Sequence, residues 1–182
     1  TTDQVQEFTF EYGGAEKETL SYEFTFEDEA TTVEFTKTSL TDGKEIEGAK
    51  LKVTDESGNT VDEWTSGKEP HIIKELTVGK KYTMTETLPA DGYVTAESIT
   101  FTVEDTSEVQ KVEMKDDVTK VQISKTDISG KELPGAKLII LDKDGKTVES
   151  WTSEEKPHYI EMLPIGEYTL REETAPDGYL VA

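Results

Sequence analysis

Apolar and polar residues alternate over short segments along most of the chain. The clearest alternation lies in residues 33–36, 50–53, 82–85, 99–103 and 112–114. These segments are rich in β-branched and aromatic residues, which favour half-buried strands with one face toward a core. No stretch carries a sustained helical period. The pattern therefore predicts an all-β chain built from short strands.

Tight turns separate the predicted strands. Asp-Gly pairs and one Ser-Gly-Asn triplet supply the positive φ that hairpin turns need, and they lie at residues 42–43, 57–59, 91–92, 144–145 and 177–178. Turn signals every ~8–12 residues, within units of roughly 90 residues, are typical of an antiparallel β-sandwich. We therefore expect small sandwich domains.

Residues 37–93 recur, with changes, as residues 125–179. Lys125 follows Lys37 by 88 residues, whereas Gly178 follows Gly92 by 86, so the copies differ by single-residue deletions. Self-similarity at a fixed period indicates a tandem array. Each copy is too long for a solenoid unit and is expected to be a domain.

The register of the repeat also places the two ends of the chain. Asp28 precedes Lys37 by nine residues, as Asp116 precedes Lys125. The alternating segment at residues 22–28 therefore has the same position relative to Lys37 as the strand ending at Asp116 has relative to Lys125. Residues 6–10 similarly resemble residues 98–103. We expect closing strands of a preceding repeat in residues 1–30, one complete domain in residues 31–118, and the opening strands of a further, truncated domain in residues 119–182.

The composition narrows the classes of partner and of chemistry. The chain holds 40 Asp and Glu against 19 Lys and Arg, a net charge of −21, which disfavours nucleic acid and direct contact with an anionic membrane. It has no cysteine, which excludes disulfides and thiol nucleophiles. No apolar run reaches the length of a membrane span or signal peptide. If the parent protein is exported or anchored, those signals are therefore expected outside this chain.

Several motifs recur in fixed order, and together they resemble a known family. They are VEFTK at 33–37, GKEIEGAKL at 43–51, WTS at 64–66, YTMTET at 82–87, DGY at 91–93 and APDGY at 175–179. The chain resembles the B-type repeat domains of Gram-positive collagen-binding adhesins and of SpaA-type pilins. The resemblance implies tandem antiparallel sandwiches of the prealbumin-like, Ig-like kind. It also implies an extracellular protein anchored to the cell wall.

The resemblance further implies a spontaneous isopeptide bond between the first and last strands of each domain, assisted by a glutamate. The complete domain would use Lys37, Glu86 and Asp116. The last domain would use Lys125 and Glu172 without an acceptor, and the first segment would contribute the acceptor Asp28 alone. The acceptor must be an aspartate, because Asn59, in a turn, is the only asparagine of the chain.

The chemistry explains why these residue types belong together. A lysine amine is a nucleophile only when neutral, and burial in an apolar core disfavours the ammonium form. Aspartate is an electrophile only when uncharged, and apolar surroundings favour that form as well. A protonated Glu86 would hydrogen-bond the Asp116 carboxyl and pass a proton to the departing water. No cofactor and no metal is required.

Two acidic neighbours compete for these roles. Asp117 is the alternative to Asp116, and Glu173 is the alternative to Glu172. Alternation from Val112 turns Asp116 inward and Asp117 outward. The four-residue step from Tyr82 to Glu86 recurs from Tyr168 to Glu172, which favours Glu172.

Other candidate sites have simpler interpretations. Residues 142–145 with Glu149 resemble a calcium loop but lack an oxygen ligand and the full spacing, so a hairpin turn is the better interpretation. His71 and His158 occur once per copy, which does not make a metal site. Trp64 and Trp151 recur at strand ends and are interpreted as packing residues.

Two functional classes remain. The preferred one is a stalk or backbone module of a cell-wall-anchored adhesin or pilin, which contacts neighbouring repeats and has no enzymatic activity beyond one self-reaction. The alternative is an adhesin region that binds a host matrix protein or glycan. The ends suggest one further partner: residues 1–30 of one chain would complete residues 119–182 of another, pairing Asp28 with Lys125 head to tail.

Overall fold

The computed structural model describes residues 7, 9 and 25–182, and it contains twelve strands within them. The first seven strands are β1 Thr32–Ser39, β2 Lys50–Asp55, β3 Thr60–Thr65, β4 His71–Lys74, β5 Lys81–Leu88, β6 Ile99–Thr102 and β7 Gln110–Asp116. The remaining five are β8 Lys120–Ile123, β9 Lys137–Leu141, β10 Thr147–Thr152, β11 His158–Glu161 and β12 Thr169–Thr174. The described residues contain no helix, which confirms the predicted all-β class.

The strands form two successive sandwiches with matching topology. In the first, a sheet ordered β4-β1-β7 faces a sheet ordered β3-β2-β5-β6. In the second, β11-β8 corresponds to β4-β1, and β10-β9-β12 corresponds to β3-β2-β5. No described strand stands in the second sandwich where β6 and β7 stand in the first. Two tandem prealbumin-like sandwiches result.

The first and last strands of the first sandwich are neighbours and run parallel, with Lys37 opposite Met114. Every other strand pair in the described part of the chain is antiparallel. A parallel pair needs a long crossover, and the five strands between β1 and β7 supply it. The two termini of this sandwich therefore leave it at opposite ends of one strand pair.

Alternation along three strands builds the core of the first sandwich. Inward residues recur at every second position: Val33, Phe35 and Lys37 on β1, Tyr82, Met84 and Glu86 on β5, and Val112, Met114 and Asp116 on β7. The apolar members pack into one cluster. At the same end of each strand, the period-two pattern places a charged residue inside. The sequence therefore carries three ionisable groups into the core.

The core of the second sandwich is more open. Leu170 is 50% exposed, whereas its counterpart Met84 is fully buried. Ala136, Leu138, Ile139 and Ile140 remain buried between β10 and β12. The exposed positions are those that strands equivalent to β6 and β7 would cover.

The predicted turns occur where the sequence places them. Gly43, Gly58, Gly92, Gly145 and Gly178 all have positive φ. The strand predicted over residues 22–28 falls only partly among the described residues, and its described part, residues 25–28, is exposed and is not a strand. The strand predicted over residues 6–10 lies almost wholly outside the described residues.

Candidate cross-linking site

Lys37 and Asp116 meet in the core of the first sandwich. Both are 1% exposed. The Lys37 Nζ contacts Oδ1 of Asp116 directly. Because β1 and β7 pair in parallel, Asp116 lies opposite Ser39, two residues beyond the lysine along the strand. The extended lysine side chain spans that offset of about 7 Å.

Glu86 reaches the same point from the opposite sheet. Its strand β5 pairs with β2, where Glu86 lies opposite Leu51, and its side chain points across the sandwich. Glu86 Oε1 lies 3.0 Å from the Lys37 Nζ, and Glu86 itself is only 5% exposed. The three groups therefore bridge the two sheets in a site closed to solvent.

Burial dominates the electrostatics of the Asp116 carboxyl. It raises the pKa of Asp116 to about 6, against the opposing effect of the Lys37 amine. The nearby Glu86 carboxyl contributes to the same rise, because like charges disfavour ionisation. A carboxyl with a pKa in this range is uncharged in a substantial fraction of molecules near pH 6. That uncharged form is the one an amine can attack.

A backbone amide holds the glutamate in place. The Ala96 N–H donates a hydrogen bond of 2.7 Å to Glu86 Oε2, which leaves Oε1 turned toward the lysine. On the other side, Glu45 Oε2 accepts a 3.1 Å hydrogen bond from the Lys37 backbone N–H. The sequence analysis did not identify either contact. A backbone N–H leaves no residue-type signal, and Glu45 lies in a loop whose path the strand pattern does not predict.

Amine, carboxyl and proton carrier are thus in mutual contact away from water. Such an arrangement supplies the orientation and effective molarity that amide formation needs. In chemical type, a neutral lysine amine can serve as a nucleophile, an uncharged aspartate as an electrophile and a glutamate as an acid–base group. The geometry supports one chemical event between the first and last strands of the sandwich.

The second sandwich repeats half of this site. The Lys125 Nζ lies 3.3 Å from Glu172 Oε1, and the Ala182 N–H donates a 2.6 Å hydrogen bond to Glu172 Oε2. Ala182 follows Glu172 at the same spacing at which Ala96 follows Glu86. No carboxyl takes the place of Asp116 among the described residues of this sandwich. The lysine and its glutamate are present without an acceptor.

The remaining predicted residues lie apart from these clusters. Asp28 is exposed, so the structure does not bring it to a lysine–glutamate pair. Asp117 points outward and accepts hydrogen bonds from the Val118 N–H and the Lys120 amine. Glu173 pairs with Lys137 at 2.9 Å on the surface. Asp116 and Glu172 therefore face inward, and their neighbours Asp117 and Glu173 face outward.

Histidine and tryptophan form a second repeated arrangement. The Trp64 and His71 rings stack with centroids 4.2 Å apart, and those of Trp151 and His158 stack at 4.4 Å. Each histidine also meets a carboxylate, Asp62 at 2.8 Å in the first copy and Glu149 in the second. In both copies the stack joins edge strands of the two different sheets, β3 to β4 in the first and β10 to β11 in the second.

The calcium-like segment is a hairpin turn. Asp142 Oδ1 accepts hydrogen bonds from the backbone N–H groups of Asp144 and Lys146, and Gly145 has a φ of 78°. Across the described residues, no group of three or more histidine or acidic side chains is placed to hold a metal ion. Within that same part of the chain, no helix has the length and apolar character needed to cross a membrane.

The chain is similar to several solved structures. The Bacillus anthracis TIE protein is 28% identical, with a TM-score of 0.52, over 84% of this chain and 30% of that one. The chain thus spans about 30% of the length of that protein. A D295N mutant of the shaft pilin SpaA from Lactobacillus rhamnosus GG is 16% identical, with a TM-score of 0.46, over 85% of this chain and 91% of that one. A streptococcal ancillary pilin is 20% identical, with a TM-score of 0.44, over 84% of this chain and 56% of that one. No curated protein sequence matches the chain.

The family comparison is more specific. The SpaA prealbumin-like fold domain matches the chain twice, over residues 31–118 and 119–182. These matches take in both sandwiches and more than half of the sequence. The family consists of structural proteins of the pilin type and not of enzymes. The chain therefore belongs to the SpaA family of prealbumin-like fold domains, and it is a structural protein.

Proposed function

We propose that the chain is a stalk module of a cell-wall-anchored surface adhesin or pilus, and that a spontaneous Lys37–Asp116 amide closes its complete domain. That domain comprises residues 31–118. Residues 119–182 would be the opening strands of a further domain. The observation that carries the proposal is the buried contact of Lys37, Glu86 and Asp116.

The reaction balances within these three side chains. Proton transfer from the ammonium to the carboxylate gives a neutral amine and a neutral acid. The Lys37 Nζ attacks Cγ of Asp116, a C–N bond forms, and a C–O bond breaks. The departing oxygen leaves as water with a proton relayed from the nitrogen by Glu86. No external reactant is consumed, and the product is one water lighter than the chain.

The bond would close a loop of 79 residues. By analogy with disulfides, constraining an unfolded loop of this length is worth about 4–5 kcal/mol in the chain-entropy model. Whole domains are stable by only ~5–15 kcal/mol. The bond would therefore supply a large share of the stability of a small domain that has no disulfide.

The placement of the bond suits a stalk under tension. A pull between the two termini of the domain enters through β1 and leaves through β7, which are hydrogen-bonded neighbours. A Lys37–Asp116 amide would carry that force from one strand directly to the other. The five strands between them would lie outside the load path. A stalk needs this property, because its domains must not lengthen when the attached cell is pulled.

Single-molecule stretching tests the proposal at the level of function. With the chain pulled from its ends, the first sandwich of the wild type should not release the residues between Lys37 and Asp116. Glu86→Gln, which keeps the shape of the side chain but cannot act as an acid, should release them. The expected gain is about 27 nm of contour length, since roughly 80 residues extend by about 3.4 Å each.

Glu172→Gln is the matched control. It removes the equivalent carboxyl from the second sandwich and should leave the response of the first unchanged. A wild-type chain that releases the full length at the same force as Glu86→Gln would contradict the proposal.

One observation favours the alternative function, binding of a host matrix protein or glycan. Tyr159 is 64% exposed beside a shallow cleft of about 550 Å³ that Trp151, Pro157 and His158 also line. The first copy has Ile72 at the equivalent edge-strand position. An exposed aromatic present in only one copy is the kind of surface that contacts ligands.

Exchange of Tyr159 for isoleucine separates the two functions. If the cleft binds a ligand, wild-type chain should bind immobilised collagen, fibronectin or a glycan array, and Tyr159→Ile should lose that binding. Ile72→Ala serves as the control in the other copy. Equal absence of binding by wild type and variant would leave the stalk as the only function.

A further inference from the structure

The two sandwiches are joined by three residues that make hydrogen bonds on both sides. Between the end of β7 at Asp116 and the start of β8 at Lys120 lie Asp117, Val118 and Thr119. On the side of the first sandwich, the Val94 N–H donates to the Asp117 carbonyl at 2.9 Å, and the Thr119 N–H donates to the Gly92 carbonyl at 2.8 Å. The connection is therefore a short ladder and not a loose linker.

Residues of the second sandwich also form hydrogen bonds to this three-residue connection. The Met162 N–H donates to the Thr119 carbonyl at 3.0 Å, and the Thr119 hydroxyl donates to the Leu163 carbonyl at 2.6 Å. Thr119 thus bonds to both sandwiches at once. Val118, beside it, is buried, and its backbone pairs with Tyr93.

Gly92 sits where the two sandwiches touch. Its φ is +84°, and a Cβ added there would lie 2.7 Å from the Met162 carbonyl oxygen and 3.0 Å from the Met162 Cα. Backbone approaches backbone at this point, so no side chain fits without moving the sandwiches apart. Met162 itself is held at a φ of 59°, an uncommon conformation for a residue other than glycine.

The contact has two halves: the Asp-Gly-Tyr turn, and the threonine with the positive-φ residue and leucine that bond to it. Each copy of the repeat carries both. In the first sandwich, the Thr31 hydroxyl donates to the Leu76 carbonyl at 2.7 Å, and the Glu75 N–H donates to the Thr31 carbonyl at 3.0 Å. Glu75 has a φ of 63°, close to that of Met162. At the other end of the chain, Gly178 has a φ of +85° with open space around it. Both halves are preformed where no described residue docks against them.

We propose that the Asp91–Tyr93 turn and the Thr119–Met162–Leu163 surface form a rigid joint, and that the same joint connects every successive pair of repeats. The Thr31–Glu75–Leu76 surface, which bonds to no second sandwich among the described residues, would take the Asp-Gly-Tyr turn of a preceding repeat. The free Gly178 turn would dock on a following one. The partner is in both cases a further repeat of the same kind. This extends the proposed stalk function from the stiffness of one domain to that of the array.

A pair of matched glycine variants tests the joint. Gly92→Ala and Gly178→Ala impose the same positive-φ strain, but only the first places a Cβ against Met162. Residual dipolar couplings should fit one alignment tensor for both sandwiches in the wild type and in Gly178→Ala. In Gly92→Ala they should require two tensors. Two tensors in the wild type, or one tensor in Gly92→Ala, would overturn the proposal.

A second pair of variants avoids any question of strain. Thr119→Val removes the hydroxyl that donates to Leu163 within the second sandwich and, at 3.3 Å, to the Gly92 carbonyl of the first. Thr31→Val removes its counterpart, which among the described residues bonds only within the first sandwich. Only Thr119→Val should loosen the joint, seen as a shorter rotational correlation time for each sandwich. Equal correlation times in both variants would count against the joint.

A chain with residues 31–118 duplicated in tandem tests the recurrence. Its new junction places Gly92 of the first copy against Thr31 and Glu75 of the second. One alignment tensor across that junction is expected, and independent tumbling would overturn the claim. Intact mass reports on the Lys37–Asp116 bond in all of these proteins, so failure of the joint and failure of the cross-link are distinguishable.

Discussion

Lys37 and Asp116 stand two positions apart in the register of neighbouring parallel strands, yet their side chains meet in the core. The parallel direction of the pair makes this possible. Both strands turn the same alternate residues inward, and the lysine side chain runs along the strand to the aspartate. Glu86 completes the contact from the opposite sheet at 3.0 Å. An amide between these two side chains would connect the two strands through which the chain enters and leaves the sandwich.

Glu86→Gln should prevent the bond. The amide cannot relay the proton to the departing water, so Lys37 and Asp116 would remain a buried ion pair. We expect the domain to lose about 4–5 kcal/mol of stability, the contribution of the loop constraint. Since 1 kcal/mol shifts the melting temperature of a domain of this size by about 4–8 °C, the shift should exceed about 15 °C. Calorimetry measures it.

Peptide mapping gives the control for this variant. After digestion, wild-type chain should yield one branched peptide that contains both Lys37 and Asp116, and Glu86→Gln should yield two linear ones. Glu172→Gln should still yield the branched peptide. A branched peptide in Glu86→Gln would assign the proton relay to another group.

The buried Asp116 should make stability depend on pH once the lysine is removed. Lys37→Met cannot form the amide and leaves the carboxyl in an apolar site. With Lys37 present, burial already raises the pKa of Asp116 to about 6 from an ordinary value of 3.8, and the substitution removes the lysine that lowers it. The folded state therefore binds the proton more tightly than the unfolded state. The associated stability is fully present below about pH 4 and is lost as pH rises through the raised pKa of the folded state.

The double variant Lys37→Met/Asp116→Asn isolates this effect. Asparagine has the same shape as aspartic acid and does not titrate, so all other groups contribute equally to both proteins. Denaturant unfolding between about pH 4 and pH 8 should show the two stabilities diverging as pH rises. Parallel pH profiles would show that Asp116 is not perturbed.

Ser66→Ala should destabilise the first sandwich without affecting the cross-link. The Ala49 N–H donates a buried 2.9 Å hydrogen bond to the Ser66 hydroxyl, and the second copy repeats it between Ala136 and Ser153. Loss of the acceptor leaves a buried donor unpaired, which costs about 1–3 kcal/mol. Thr65→Ala, on the exposed face next to it, should change stability by less than about 0.5 kcal/mol. Equal effects of the two substitutions would contradict the hydrogen bond.

The lysine–glutamate pair of the second sandwich should react with a suitably placed aspartate. If residues 1–30 of one chain complete the second sandwich of another, Lys125 and Asp28 would form an amide between chains. A concentrated sample would then show a ladder of covalent oligomers on a denaturing gel. Lys125→Arg and Asp28→Ala should each abolish the ladder, and Lys37→Arg should not. A single monomer band from wild type would reject pairing between chains.

The alternation of the sequence predicts a large part of this structure. It gives the all-β class, the glycine turns and the inward phase of Asp116 over Asp117, because period two decides which face a residue occupies. The resemblance of the motifs adds the roles of Lys37 and Glu86. The structure brings these residues together in one buried site.

Other features leave no such signal. Alternation assigns faces but not neighbours, so the parallel pairing of β1 with β7 has no counterpart in the local pattern. The amide of Ala96 acts through its backbone, which every residue type but proline provides. The joint at Gly92 depends on a distance between two domains. Contacts that depend on strand topology or on backbone groups therefore cannot be predicted from the sequence pattern.

The intact mass of the purified chain tests the central claim most directly. The account predicts a mass one water, about 18 Da, below that of the sequence, because amide formation between an amine and a carboxyl releases one water. Lys37→Arg should restore the full sequence mass, since a guanidinium stays protonated and cannot attack. A wild-type chain at its full sequence mass would contradict the account.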